Sequence, residues 1–147
     1  MENQTEKLLR EIYKEAQGGC ETVCGITPRI HDRRLLAETA RQMEMYSDCT
    51  NRAEQMLQDK NLGSVTFSAL DRISLRGGVW LETMDMHDAA AIADFLQNNF
   101  RASAARMRNT VDRFSHTDCD ADALALGRRL SAAEAAEAEA LRRLSIQ

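Results

Sequence analysis

The chain has 147 residues, of which 44% are hydrophobic and 29% charged, and a formal charge of −4. That length and apolar content describe one globular domain (1–147) with a real core rather than a disordered chain. The net negative charge gives no electrostatic reason to expect a nucleic acid partner, and no apolar run approaches the roughly 20 residues a bilayer span needs, so no membrane partner is expected.

One proline and 5% aromatics, among many Ala, Leu, Glu and Arg residues, favour an all-α fold. The N-terminal stretch MENQTEKLLREIYKE lacks a secretory apolar segment. A cytoplasmic location, with the four cysteines reduced, follows as the expectation.

The first predicted helix runs from Gln4 to Ile30 on the stripe Leu9, Ile12, Ala16, Gly19, Val23, Ile26 and Ile30. Its glycines, Gly18, Gly19 and Gly25, each weaken a helix by about 1 kcal/mol against Ala. Inside a helix they suggest close approach of a neighbouring helix. Pro28 removes a backbone donor and should kink the last turn. A rival reading ends the helix at Gly25 and uses Thr27 and Pro28 to start the next. The longer helix is preferred because the stripe passes through Pro28 without slipping.

The second helix, Arg33–Asp59, carries an unbroken stripe at Leu36, Thr39, Met43, Tyr46, Thr50, Ala53 and Leu57, behind Asp32 as N-cap. The polar run Asp59-Lys-Asn-Leu-Gly63 ends it. A shorter third helix is predicted over Val65–Asp85. Its stripe is Leu70, Ile73, Gly77, Trp80 or Leu81, and Met84, and this is expected to face the core, with Trp80 at least partly buried. The fourth helix, from Asp88 to Phe114, shows Ile92, Leu96, Phe100, Ser103, Met107, Val111 and Phe114 on one face. The last, Ala121–Leu144, shows Leu130, Glu134, Glu137, Leu141 and Leu144.

Four helices of about 25 residues each span roughly 38 Å at 1.5 Å per residue. Short connections make the first and second antiparallel neighbours, and likewise the fourth and last. The long link 60–87 can travel the full length between them. The second and fourth then run parallel, which is the up-down-down-up arrangement of a ferritin-like four-helix bundle with a helical crossover.

The opening TEKLLREIYKEAQGG, the turn TPRIHDRRLLAE and the segment Ala91-Ile-Ala-Asp-Phe-Leu96 resemble a small bacterial group of ferritin-like four-helix proteins of unassigned activity. The resemblance covers nearly the whole chain and implies the fold. It implies no activity, because these are helix and turn patterns without a chemical fingerprint.

A ferritin-like di-iron site needs Glu-x-x-His on two helices, and this chain has none. His31, His87 and His116 fall at predicted helix ends. Glu38 lies off the core stripe, and Arg41 stands where a ligand would be. Cys20 and Cys24 share a helix face at a spacing that can hold half a metal site. Buried free cysteines, however, also behave as small hydrophobes. Cys49 sits lower on the antiparallel partner helix and Cys119 in the far loop. Met84, Met86 and His87 form a soft-ligand group beside one loop.

Glu134 and Glu137 are the weak metal candidates, since they interrupt the core stripe of the last helix three residues apart. The preferred reading rotates that helix, so that Ala133, Ala136 and Ala140 face inward and the glutamates pair at the edge with Arg41. No metal, cofactor or catalytic residue is then expected. The sequence favours a non-catalytic bundle that self-associates or docks on a protein partner. Its alternative is a degenerate metal protein using carboxylates or thiols, and a weaker idea is a carrier with an apolar cavity inside the bundle.

Overall fold

The computed structural model describes residues 3–145, and helix accounts for 83% of those described residues. The order is α1 (Gln4–Ile26), a single 3-10 turn (Thr27–Arg29), α2 (Arg33–Asp59), α3 (Ala69–Glu82), α4 (Ala89–Ser115) and α5 (Ala121–Ser145). Among the described residues none forms a strand.

Local chemistry sets the boundaries. Asn3, Asp32, Ser68 and Asp88 each cap a helix, their side chains accepting from the backbone N–H of Glu6, Leu35, Asp71 and Ala91. At the other end of α2, Asn61 adopts a positive φ of 56°. The Leu62 N–H then donates to Leu57 O and the Asn61 N–H to Gln58 O. This pair of bonds satisfies carbonyls that the helix end would leave open. The first helix is shorter than expected: α1 ends at Ile26, and Pro28, which cannot donate a backbone hydrogen bond, stands in the 3-10 turn that follows.

The side-chain contacts fix helix directions. Gly19 lies under the Tyr46 ring and Cys24 against Met43, so α1 and α2 are antiparallel. Arg106 and Arg113 of α4 pair with Glu15 and Glu11 of α1, again antiparallel. Tyr46 reaches Glu134 while Lys60 reaches Asp120 and Asp122, which sets α2 antiparallel to α5. Ser131 donates to Ala104 O, and Gly127 meets Val111, so α4 and α5 are antiparallel as well. The core they share includes Leu8, Leu9, Ile12, Ala16, Ala53, Leu57, Leu96, Leu130 and Leu141. The expected stripes of α2 and α4 hold, except that Leu36 and Met43 are only partly buried.

Three glycines mark close approaches. A Cβ on Gly19 would stand 2.4 Å from Tyr46 Cζ, and one on Gly127 would stand 2.5 Å from Val111 Cγ2. On Gly25 it would meet the Arg76 Cα at 3.3 Å. Only a missing side chain lets α1 and α3 lie this close.

The segment 60–87 runs alongside α1, as expected, but α3 is rotated the other way. Its buried residues are Val79 and, just beyond it, Thr83. The predicted core stripe faces water: Leu70 is 72% exposed, Ile73 68%, Leu81 69%, Met84 52% and Trp80 49%. The reason lies on the opposite face. Glu21 of α1 is 3% exposed and accepts from Arg76 Nε at 2.5 Å, with Arg72 Nε at 3.7 Å. Leu75 sits over Gly18, and Val79 over Gly25. These contacts turn Arg72, Leu75, Arg76 and Val79 inward and present the Leu70–Met84 stripe outward.

Candidate functional site

The outward face of α3 is the candidate site. Its capping Ser68 starts the helix, and Arg29 from the 3-10 turn fixes its far end by donating to Trp80 O at 3.0 Å and Met84 O at 3.4 Å. A cation at these last carbonyls also complements the helix dipole. The same guanidinium lies 3.7 Å from the Trp80 ring centre. Trp80 is therefore partly buried, as expected, but through Arg29 rather than by facing the core. It is half-exposed, with one face on Arg29.

At 100° per residue, Leu70, Ile73, Gly77 and Leu81 fall within a narrow arc, and Met84 follows in the turn just past the helix end. No charged residue interrupts that arc. The arrangement is symmetric in number about Gly77: Ile73 and Leu81 lie four positions either side, and Leu70 and Met84 seven. A Cβ at Gly77 or Gly78 would meet nothing within 4 Å. Packing within the chain thus gives no reason for either glycine, although each costs a helix about 1 kcal/mol.

The carboxylate candidates lie elsewhere and are more deeply buried than expected. Glu134 is 0% exposed and Glu137 3%, while Ala136 is exposed and Ala133 and Ala140 only partly covered. The predicted rotation of α5 is therefore wrong, because the glutamates take the inward positions and find partners there. The Tyr46 hydroxyl donates to Glu134 Oε2 at 2.7 Å, and Arg41 Nη1 sits 2.6 Å from Glu137 Oε1. Arg41 also pairs with Glu38, so the expected Arg41 contact is present although the edge position is not.

Burial pushes the Glu134 carboxyl up to about 8 against the opposing hydrogen bond from Tyr46, and Glu15 adds to the rise. Burial also raises Glu137, and Arg41 opposes it. A neutral Glu134 escapes most of the cost of a buried charge. Gln42, 0% exposed, lies one turn before Tyr46, and its amide has no protein hydrogen-bond partner, nor do Glu134 Oε1 and Glu137 Oε2. The sequence reading overlooked Gln42, since a glutamine beside an apolar stripe carries no periodic signal.

No group of three or more His, Cys, Asp or Glu that could hold a metal occurs among the described residues. His31, His87 and His116 are exposed at helix ends. Met84 and His87 are exposed while Met86 leans on the core, so those three are split between environments. Cys49 is buried in the core, and burial pushes its thiol up to about 12. Cys119 accepts a long 3.9 Å contact from the Thr5 hydroxyl.

Cys20 and Cys24 are partly buried and one helical turn apart on α1. The interaction between the two thiols lowers Cys24 to about 7 and, with burial, raises Cys20. The Cys24 thiol donates to Met43 Sδ at 3.2 Å. A groove of about 910 Å³, lined in part by Leu75, Val79, Met86 and Phe95, opens to solvent between α3 and α4. Compared with known protein families, curated proteins and solved structures, the chain matches none.

Proposed function

We propose that the protein is a non-catalytic helical interaction module that self-associates through α3. The four antiparallel pairings among α1, α2, α4 and α5 support reading it as an up-down-down-up bundle of the ferritin-like kind, with α3 as the crossover. The observation that carries the functional reading is the outward stripe Leu70, Ile73, Leu81 and Met84, each more than half exposed.

A second copy is the occupant that the spacing fits. Two such helices packed antiparallel about a two-fold axis through Gly77 bring each residue against its mirror position. Ile73 then meets Leu81 of the partner subunit, and Leu70 meets Met84 of the partner subunit. Such a self-complementary contact is what a symmetric dimer requires. The bare glycine on the axis lets the two helices approach closely. Acidic Asp71, Glu82 and Asp85 flank the stripe, which favours a protein surface over anionic lipid. The 14-residue helix is only about 21 Å long. Alone it falls short of the roughly 800 Å² per partner in a standard interface, so the expected affinity is micromolar.

Sedimentation from low micromolar to near-millimolar concentration tests this. Wild type should pass from monomer to dimer. Ile73→Glu and Leu81→Lys should each remain monomeric without loss of helicity, because both side chains are exposed. Combined in one chain, they place Glu opposite Lys across the axis and should restore the dimer. A wild type that stays monomeric throughout, or a double variant that fails to recover, overturns the reading.

A further inference from the structure

We propose that Cys20, Cys24 and Met43 form a three-sulfur site for a soft monovalent cation, Cu(I). The site does not depend on the reading of α3.

The geometry is set by two helices. A separation of four residues puts both thiols on one face of α1, and the antiparallel α2 brings Met43 against them. The two thiols are close enough to act on each other's protonation, and Cys24 Sγ lies 3.2 Å from Met43 Sδ. Three metal–sulfur bonds of about 2.3 Å in a plane hold their sulfurs about 4 Å apart. The Cys24–Met43 pair therefore needs to open by less than about 1 Å, a change within the rotamer freedom of an unbranched methionine.

The donor set selects the ion. Two thiolates and a thioether are soft ligands that favour Cu(I), whereas zinc takes four ligands and accepts nitrogen or oxygen. The nearest carboxylate in sequence, Glu21, is already committed to Arg76, Arg72 and Gln17. All three sulfur residues are partly covered rather than sealed, so an ion can reach them. Binding replaces two S–H bonds by two Cu–S(thiolate) bonds, adds a third Cu–S bond from the Met43 lone pair, and releases two protons to solvent, and no electron is transferred. The bound centre carries one negative charge, and Arg76 is the cation close enough to act on both thiols.

Cys49 supplies the contrast. It is a single buried thiol packed in the core, with no second sulfur recorded against it among the described residues. Cys20 and Met43 also pack on the edge of the core, but there the two thiols of one helical turn meet a thioether.

The test is anaerobic titration of tag-free protein with Cu(I) against a chromophoric chelator, with X-ray absorption on the loaded sample. One tightly held equivalent with an all-sulfur shell is expected. Cys20→Ser and Cys24→Ser should each abolish tight binding. Met43→Leu, a volume-conserving change, should weaken it by at least the roughly tenfold that loss of even an outer partner costs a metal site. Cys49→Ser and Cys119→Ser should bind as wild type does.

A measurement on unaltered protein guards against misfolded variants. One equivalent of Ag(I) should protect Cys20 and Cys24, but not Cys119, from iodoacetamide. Absence of stoichiometric binding, retention in the Cys20→Ser/Cys24→Ser double variant, nitrogen or oxygen in the shell, or no protection by Ag(I) overturns the site.

Discussion

Along α5, Glu134 and Glu137 are buried to 0% and 3% exposure, whereas along α3, Leu70, Ile73 and Leu81 are more than two-thirds exposed. Both regions place side chains against their solvation preference, yet they differ in what compensates. The buried carboxyls are answered within the chain, by the Tyr46 hydroxyl, by Arg41, and by the proton that burial holds on Glu134. The outward apolar stripe has no such answer on its own chain. One oxygen of each buried carboxyl is answered within the fold, though the Gln42 amide, Glu134 Oε1 and Glu137 Oε2 are not, while the apolar face of α3 is left to the proposed partner copy.

The glycines give the sharpest way to break that comparison, with the largest effect in the interior. Gly19 lies beneath Tyr46, which is 2% exposed and stacked on Phe100 at 5.8 Å between ring centres. A methyl group there must displace the ring and with it the donor to Glu134. Gly19→Ala is expected to cost about 3 kcal/mol, the upper end of ordinary overpacking, measured by urea unfolding. A near-neutral result would mean that Tyr46 is not held as described.

The next effect is a pH dependence. Glu134 has a folded pKa of about 8 against an ordinary value of 4.5, so the folded state holds a proton that the unfolded state has lost between those values. Stability is highest below about pH 4.5 on this account and declines as pH rises towards 8. The groups facing this carboxyl are Tyr46 from α2, Glu15 from α1 and Arg106 from α4. The full shift corresponds to about 5 kcal/mol at about 1.4 kcal/mol per unit. Relaxation around a newly formed charge reduces such penalties. Glu134→Gln keeps the acceptor for Tyr46 without the charge. It should be more stable than wild type by about 2 kcal/mol at pH 8, equal to it near pH 5, and flatter in between. A wild-type stability that climbs from pH 5 to 8, with no difference in the variant, would show Glu134 to be ionised and well solvated.

Much of the fold was legible because α2 and α4 carry long, uninterrupted stripes that leave one solution for the buried face. The cap at Asp32 was legible for the same local reason. The orientation of α3 was not, because its apolar stripe and its anchoring face compete, and periodicity reports only the former. The deciding residues were Arg72 and Arg76, four apart and opposite a glutamate on another helix, which sequence spacing alone does not connect. The glutamates of α5 misled for a related reason. An Ala/Glu run has two nearly equivalent rotations, and only the distant Tyr46 and Arg41 select one. Cys20 and Cys24 were visible as a pair, but Met43 joined them only once α1 and α2 were aligned.

The smallest expected effect is at Gly77, and it has opposite signs in the monomer and in the proposed dimer. In the monomer a Cβ there meets nothing within 4 Å, and alanine is a better helix former than glycine by about 1 kcal/mol. Gly77→Ala should therefore stabilise dilute monomer by about that amount and slow hydrogen exchange in α3, which is expected to open before α4 in wild type because its support is largely one-sided. In the dimer the same methyl group is introduced twice at the two-fold axis. It pushes the helices apart where Ile73 and Leu81 need to meet, so association should weaken. A glycine kept only by chance would give the first effect without the second. Alanine that strengthens both folding and dimerisation would remove Gly77 from the axis and leave the apolar stripe without its symmetric partner.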